Sequence, residues 1–290
     1  MPVDTTLPDK VVLSHGNSVV DIYYWGATVT SWKYCGHEHI FLSSKSVLDG
    51  SKAIRGGIPL VFPQFGSAPG AILPQHGFAR VSRWKWLGTE VENAVETTVR
   101  FGLKPSAIPD AQRTLWPFDF NLIYTVSLFG SALKTTLTVE NCGATPFKFE
   151  SLLHTYLLVN DIGSVGISGL TGFPFIDKVK NGARTELEPR TVISIDSEMD
   201  KVYERVKNDY ISVQGTGVGG GSVAIHKTAF DDVVVWNPWI ARSKAMTDFD
   251  DNEYHKMVCV EVGNTTAMEL AAGKVWKGSQ VLLASSAPSN

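Results

Sequence analysis

The 290-residue chain contains little cysteine, no long apolar run and no excess of positive charge. Its three cysteines, Cys35, Cys142 and Cys259, are far apart and show no CxxC spacing, which argues against a disulfide framework or a zinc site. No stretch approaches the roughly 18 apolar residues of a membrane span, and the first residues do not form a secretory signal. The net charge of −3 supplies no basic field for nucleic acid. These absences predict a cytoplasmic protein that binds neither nucleic acid nor a membrane.

Helical periodicity is also scarce, and only a short turn around residues 109–113 fits a helix. The dominant hydrophobic period is two. Residues 118–128 and 133–139 alternate in this way and predict a hairpin that turns at Gly130-Ser131. The other predicted strands are 18–25, 27–33, 95–103, 146–159, 190–195, 222–228, 232–236 and 257–262. Many short strands and 26 glycines predict an all-β sandwich, formed as one domain over residues 1–290.

The segment between Arg55 and Arg80 is unusually rich in residues that break regular structure. Five glycines and four prolines fall between Gly56 and Gly77, a density that a helix or a central strand does not tolerate. A long loop inside a compact domain often serves a site, and guanidinium groups suit carboxylate or phosphate oxygens. Composition alone leaves two interpretations open, namely an anion-binding loop and a surface loop with two solvated arginines.

Two titratable residues lie on strand-like runs. His154 is predicted on the polar face of the run 146–159, where it could act as a general acid or base, or be an ordinary hydrogen-bonded histidine. Glu261 is predicted to point away from the core valines and towards Met257 and Cys259. That face is apolar, and desolvation there disfavours the charged carboxylate, which makes it a better base. An outward glutamate on an edge strand is the alternative.

Trp236 and Trp239 flank an Asn-Pro turn and offer flat apolar surface that could stack on a sugar or pack in a core. Other site classes find no support in the sequence. It contains no GxxxxGK[ST] phosphate loop, no GxGxxG, no HExxH and no GxSxG. We therefore expect neither a metal nor a cofactor.

Six motifs in order resemble the aldose 1-epimerase (galactose mutarotase-like) superfamily, and more narrowly its glucose-6-phosphate 1-epimerase, or hexose-6-phosphate mutarotase, branch. They are Arg55-Gly56-Gly57-Ile58-Pro59, Pro74-Gln75-His76-Gly77-Phe78-Ala79-Arg80, Leu115-Trp116-Pro117, His154-Thr155-Tyr156, Val235-Trp236-Asn237-Pro238-Trp239 and Glu261-Val262-Gly263. The resemblance implies a large antiparallel β-sandwich with few short helices, the supersandwich of that superfamily. The branch for free galactose carries Asn before the histidine, whereas here Leu153 stands there, which favours the sugar-phosphate branch.

The resemblance also implies a reaction and a set of site residues. His154 would protonate the ring oxygen and Glu261 would take the proton of the anomeric hydroxyl, so that the ring opens and closes as the other anomer. Arg55 and Arg80 would hold the 6-phosphate of a hexose, with D-glucose 6-phosphate the leading candidate. The remaining substrate contacts would be Gln75, Asp200, His76 and Trp236. The alternatives are an epimerase of unphosphorylated aldoses and a sugar-phosphate-binding protein without activity. The family precedent predicts a monomer.

Overall fold

The computed structural model describes residues 2–67, 73–180, 182–185, 187–217 and 220–285, and of 183–185 the backbone alone. The first sheet is a five-stranded antiparallel meander near the N-terminus. Its strands are β1 (Val3–Asp4), β2 (Lys10–His15), β3 (Ser18–Tyr23), β4 (Val29–Tyr34) and β5 (His37–Glu38). The buried side chains of β2 and β3 join the main core, so this sheet packs against the rest of the fold.

The other strands form two larger sheets. In chain order they are β6 (Leu60–Val61), β7 (Lys85–Glu92), β8 (Thr97–Leu103), β9 (Phe120–Phe129), β10 (Ala132–Asn141), β11 (Phe147–Leu153), β12 (Tyr156–Leu158), β13 (Gly166–Ser168), β14 (Phe175–Asp177), β15 (Ala183–Thr185), β16 (Val192–Ile193), β17 (Met199–Tyr203), β18 (Tyr210–Thr216), β19 (Gly221–Thr228), β20 (Asp232–Asn237), β21 (Met257–Leu270) and β22 (Val275–Ser285). The two α-helices of the described residues are α1 (Asp110–Leu115) and α2 (Trp239–Ala245). Neither has the length and apolar character needed to cross a membrane.

Both large sheets are antiparallel. The nine-stranded sheet has the order β16-β13-β18-β19-β22-β10-β9-β8-β7, and the eight-stranded sheet has the order β15-β14-β17-β20-β21-β11-β6, with β12 also pairing with β21. The prediction of an all-β antiparallel sandwich with few short helices is therefore confirmed. The predicted hairpin is confirmed as well, since Phe129 pairs with Ala132 across Gly130-Ser131.

The eight-stranded sheet has a different set of apolar contacts on each face. On one face Val258, Val260 and Val262 of β21 join the main core, where full burial of such a side chain contributes on the order of 1.5–3 kcal/mol. On the other face Met257 and Cys259 belong to a smaller cluster. The strand period of two creates this division, because successive side chains leave opposite faces.

The prediction of one continuous strand over 146–159 is wrong. β11 ends at Leu153 and β12 begins at Tyr156, and a register shift interrupts the pairing with β21 between Phe149 and Ser151. The physical reason lies in the loop that begins at Arg55. The backbone N–H of His154 donates to Pro59 O at 3.0 Å and that of Tyr156 to Gly57 O at 2.9 Å. These bonds to the loop replace a regular ladder.

Other boundaries also differ from the sequence prediction. The predicted strand 190–195 is only Val192–Ile193, and helix α2 was not predicted, because its seven residues are too short for a clear helical period. The segment from Arg55 to Arg80, predicted as loop, does contain β6, which pairs with the end of β11. Residues 68–72 of that segment lie outside the described residues.

Two glycines let this loop approach its neighbours closely. Gly57 has φ of +74°, and a Cβ there would lie 2.3 Å from Val29 O. Gly77 has φ of +70°, and a Cβ would lie 2.1 Å from Phe62 O. A residue with a Cβ at either position would have to adopt a left-handed backbone conformation and would also clash with that carbonyl oxygen. Gly57 therefore lets the loop lie against β4 of the five-stranded sheet, and Gly77 lets the end of the segment lie against Phe62, just after β6.

Candidate active site

A cleft of about 230 Å³ opens on the side of the eight-stranded sheet that carries the smaller apolar cluster. All eight site residues that the family resemblance implies line this cleft. They are Arg55, Gln75, His76, Arg80, His154, Asp200, Trp236 and Glu261. Because they are widely separated along the chain, the folding of the sheet and of the long loop brings them together.

Three neighbouring strands project side chains into the cleft. Asp200 of β17, Trp236 of β20 and Cys259 of β21 lie opposite one another in register. Paired residues of antiparallel strands project from the same face, and Glu261 follows Cys259 by two positions. Glu261 therefore projects from the face that carries Met257 and Cys259, as the sequence predicts. Since β21 pairs with both β20 and β11, the edge-strand alternative is wrong.

His154 lies at the end of β11, where the chain leaves the sheet. Its ring stacks on that of Tyr156, with the centroids 4.7 Å apart and the planes 11° from parallel. The rings of Trp236 and His76 meet it edge-on, at centroid distances of 6.1 and 5.7 Å. Aromatic contacts of this kind favour defined geometries, so three neighbours restrict the orientation of the imidazole. Only 8% of His154 is exposed.

His154 and Glu261 form a close buried pair. Nδ1 of His154 lies 3.4 Å from Oε1 of Glu261. Neither Nδ1 of His154 nor Oε2 of Glu261 has a hydrogen-bond partner among the described residues. Buried polar atoms without partners are uncommon in folded proteins, and two of them meet here in one cleft. The pair therefore has unused hydrogen-bonding capacity inside the cleft.

The surroundings disfavour the charged form of each member of this pair. Burial raises the pKa of Glu261 well above 4.5, and the negative charge of Asp200 adds to the effect. Burial lowers the pKa of His154 well below 6.5, and His76, Arg80 and Arg55 lower it further. Perturbed carboxyl and imidazole groups in one cleft have the properties required of a general base and a general acid.

Arg55 is held from two sides. Its Nε donates to Oδ1 of Asp248 at 3.1 Å, and its Nη1 donates to the hydroxyl of Tyr156 at 3.3 Å. Burial opposes the charge on the guanidinium, but the interactions with Tyr156 and Asp248 outweigh it and raise the pKa of Arg55. Arg55 therefore stays positive and its planar group is fixed in direction, which suits it to hold an anion.

Arg80 is the less compensated of the two arginines. Its Nη2 donates to the backbone carbonyl of Gln75 at 3.0 Å, while its Nε is buried without a partner among the described residues. None of the described carboxylates forms an ion pair with it. Burial, together with the positive charge of Arg55, lowers the pKa of Arg80 to about 10. A cation that remains charged at neutral pH and lacks a carboxylate partner is suited to an external anion.

His76 is oriented by the backbone of the same loop. The N–H of Gly66 donates to Nδ1 of His76 at 3.1 Å. Since Nδ1 accepts, the proton of the neutral ring is on Nε2, which is then a donor. Burial and the nearby charges of Arg80 and Lys178 lower the pKa of His76 well below 6.5 and keep it neutral.

The family model for "Aldose 1-epimerase" matches residues 9–283. The chain belongs to the aldose 1-epimerase family. A protein of Cenchrus ciliaris named "Putative glucose-6-phosphate 1-epimerase" is 35% identical over 95% of this chain and 84% of its own length. A protein of Escherichia coli K12 with the same name is 34% identical, over 96% and 89% of the two chains.

Solved structures show the same fold. A crystal structure described as a "putative mutarotase" from Salmonella typhimurium superposes with a TM-score of 0.84 at 28% identity, covering 97% of this chain and 92% of that one. A galactose mutarotase related enzyme from Lactobacillus acidophilus gives a TM-score of 0.73 at 17% identity, over 96% and 97%. The expected galactose mutarotase-like fold is thus confirmed, and membership of an epimerase family indicates an enzyme that acts on a small sugar substrate.

Four further residues line the cleft of this epimerase family member or support its lining, and the sequence predicts no role for them. Tyr156 follows His154 by two positions in the His154-Thr155-Tyr156 motif, and this spacing is a local signal that it lies near the same site. Asp248 forms an ion pair with Arg55, and Nη1 of Arg242 lies 3.6 Å from Oδ2 of Asp200. Lys178 lines the cleft with its Nζ 4.1 Å from the centre of the Phe65 ring. No local pattern marks these three, because only the tertiary fold brings them to the cleft.

One trio of side chains has donors of the kind that bind soft metal ions. The ligand atoms of His154, Cys259 and Glu261 lie within 4.8 Å of one another, and all three residues are buried. Their surroundings oppose a cation, however, because Arg55 and Arg80 already lower the pKa of His154. Burial and Glu261 raise the pKa of the Cys259 thiol, so a thiolate is also disfavoured.

Proposed function

We propose that the chain interconverts the α and β anomers of a hexose 6-phosphate, with D-glucose 6-phosphate as the leading substrate. The relatives from Cenchrus ciliaris and Escherichia coli are each named "Putative glucose-6-phosphate 1-epimerase". The observation that carries the proposal is the convergence of Arg55 and Arg80 on the cleft that contains the His154–Glu261 pair. A mutarotase of neutral sugars has no need for two partly buried guanidinium groups beside its acid and base.

Glu261 is assigned the base and His154 the acid. Glu261 removes the proton from the anomeric hydroxyl as the bond between C1 and the ring oxygen breaks, and His154 gives a proton to that oxygen. The aldehyde rotates about C1–C2, and the reverse transfers close the ring as the other anomer. Proton transfers by positioned groups contribute on the order of 10²–10⁴-fold each, so these residues account for the chemical step.

The phosphate is assigned to Arg55 and Arg80. A phosphate dianion between them would offset the two positive charges that lower the pKa of His154. The pKa of His154 then rises when the substrate binds, which favours the protonated form that the acid step requires. In this way the anion site selects the substrate and also prepares the acid.

Gln75, His76, Asp200 and Trp236 are assigned to the sugar. His76 offers its Nε2 proton, Asp200 offers carboxylate oxygens, and Trp236 offers a ring surface for the apolar side of a pyranose. Burial raises the pKa of Asp200, which Lys178 and Arg242 partly oppose. The monomeric state and the cytoplasmic location stay predictions.

Comparison of four sugars tests the proposal. NMR saturation transfer gives the α/β exchange rates of glucose, galactose and their 6-phosphates with the wild type and Arg80→Ala. We expect glucose 6-phosphate to be preferred, and Arg80→Ala to reduce its kcat/KM by at least 100-fold with a far smaller effect on glucose. An equal effect on both sugars would show that Arg80 does not bind phosphate. Surface variant Arg113→Ala, outside the cleft, is the matched control.

A further inference from the structure

Tyr156 contacts both the imidazole of His154 and the guanidinium of Arg55. Its ring stacks on His154 with centroids 4.7 Å apart, and its hydroxyl accepts from Nη1 of Arg55 at 3.3 Å. Only 1% of Tyr156 is exposed, so water does not compete for either contact. One rigid aromatic side chain therefore joins the acid to an arginine of the anion site.

A second side chain contacts Arg55 on the side away from Tyr156. Asp248 accepts from Nε of Arg55 at 3.1 Å, which leaves the guanidinium held between a carboxylate and a phenol. The other rings that border His154 are those of Trp236 and His76. Among the described residues, Tyr156 is the ring neighbour of His154 that also bonds to an arginine side chain. Its position is therefore suited to transmit a change at Arg55 to His154.

We propose that Tyr156 is a positioning residue through which an anion held by Arg55 fixes the orientation of His154, so that the phosphate raises kcat as well as affinity. The inference rests on the proposed function, since it takes Arg55 and Arg80 as the phosphate site. An enzyme can use the binding energy of a non-reacting part of its substrate to orient the reacting groups. The phenol ring does not bend, so a shift of its hydroxyl with Arg55 changes its contact with the imidazole.

A purely structural role for Tyr156 makes a different prediction. Its ring also stacks on Phe41, with centroids 6.4 Å apart, and belongs to the smaller apolar cluster. If packing were its whole role, substitution would lower stability and slow every substrate to the same extent. A positioning role instead makes the effect depend on whether an anion occupies the site.

The experiment presents the sugar and the anion as separate molecules. NMR saturation transfer measures α/β exchange of D-glucose with increasing inorganic phosphite, after subtraction of the enzyme-free rate at each concentration. We expect phosphite to raise the kcat of the wild type for glucose by at least tenfold. Tyr156→Phe keeps the stacked ring and loses the bond to Arg55, so activation should fall by about tenfold, as expected for a hydrogen bond to a charged group.

Two further variants make the result decisive. Tyr124→Phe removes the hydroxyl of another buried tyrosine, which does not line the cleft, and should retain the activation. Asp248→Asn loosens Arg55 from its other side and should reduce activation, which keeps the test available if Tyr156→Phe does not fold. Melting temperatures identify any variant whose loss is a loss of folded protein.

Each outcome decides the matter. Equal activation in the wild type and Tyr156→Phe overturns the coupling, whatever Asp248→Asn shows, and if Tyr156→Phe does not fold, equal maximal activation in the wild type and Asp248→Asn overturns it. So does a wild type that prefers glucose 6-phosphate to glucose and yet gains nothing from phosphite, and in that case the proposed function survives. A wild type with no preference for the phosphorylated sugar removes the proposed function itself.

Discussion

Glu188 and Glu261 are equally buried, with 1% of each residue exposed, yet they have opposite properties. The pKa of Glu188 is lowered to about 2, whereas that of Glu261 is raised well above 4.5. The difference shows that burial by itself does not decide the charge of a carboxylate. Burial raises the pKa of both carboxyls, and the outcome depends on whether hydrogen bonds and neighbouring charges outweigh it, as they do for Glu188 and not for Glu261.

Glu188 is fully paired. Arg190 donates to its two oxygens from Nε at 2.6 Å and Nη2 at 2.8 Å, and the hydroxyl of Tyr203 donates at 2.8 Å. Burial alone would raise the pKa of Glu188, but these bonds outweigh it. Such an arrangement stabilises the folded chain and offers nothing to a substrate.

Glu261 has no comparable set of donors. Its Oε2 has no hydrogen-bond partner among the described residues, and its Oε1 lies 3.4 Å from Nδ1 of His154, whose charged form is itself disfavoured. Asp200 disfavours the carboxylate further, while Lys178 and Arg80 only partly oppose this. An unpaired buried carboxyl with a raised pKa takes up a proton readily, which is the property that a general base needs.

The largest expected effect comes from Glu261→Gln. Saturation transfer with glucose 6-phosphate should show exchange slowed by about 10³-fold, because the proposed base is lost while the shape of the side chain is kept. Stability at pH 7, measured by urea unfolding, should be unchanged or slightly higher, since an unpaired buried acid is removed. If Glu261→Gln is active, or is inactive only because it unfolds, Glu261 is not the base and does not differ in role from Glu188.

Glu188→Gln should give the opposite result. Unfolding free energy at pH 7 should fall by about 2 kcal/mol, because hydrogen bonds to a charged group are lost, while the exchange rate per folded molecule stays within about twofold. The folded pKa of Glu188 lies below the ordinary value of 4.5. Its contribution is therefore complete above pH 4.5 and disappears as the pH falls towards 2. Urea titrations at several pH values should show the two proteins converging in acid, and a constant difference would contradict the pairing.

A smaller, more specific effect concerns His154. Inorganic phosphate should raise the pKa of His154, measured by NMR of the imidazole, because the dianion offsets Arg55 and Arg80. Consequently the basic limb of the kcat profile for glucose 6-phosphate should lie at higher pH than that of kcat/KM. With Arg80→Ala the pKa of His154 should start higher and respond less to phosphate. If the pKa of His154 in the wild type does not change with phosphate, the anion does not bind at Arg55 and Arg80.

Much of the fold could be read from local patterns. The alternation of residues 118–128 and 133–139 predicts β9, β10 and their turn because both strands are long and have a clear buried face. The two-residue strand β6 has no such period and forms because the loop that carries it pairs with β11. The sequence does not predict helix α2 for a similar reason, since its seven residues show no clear hydrophobic period of their own.

The sequence by itself predicted the antiparallel strand-rich fold, and its ordered motifs pointed to His154, Glu261, Arg55 and Arg80 as site candidates, because residue type, alternation and motif order can be read along the chain. Only the tertiary structure decided that His154 leaves the sheet, since Pro59 and Gly57 compete for the backbone of that segment. It also decided which of two equally buried glutamates is paired, and that Tyr156 stands between His154 and Arg55. Partners of this kind come from distant parts of the chain, and pKa and orientation depend on the distance to those partners, which no local pattern contains.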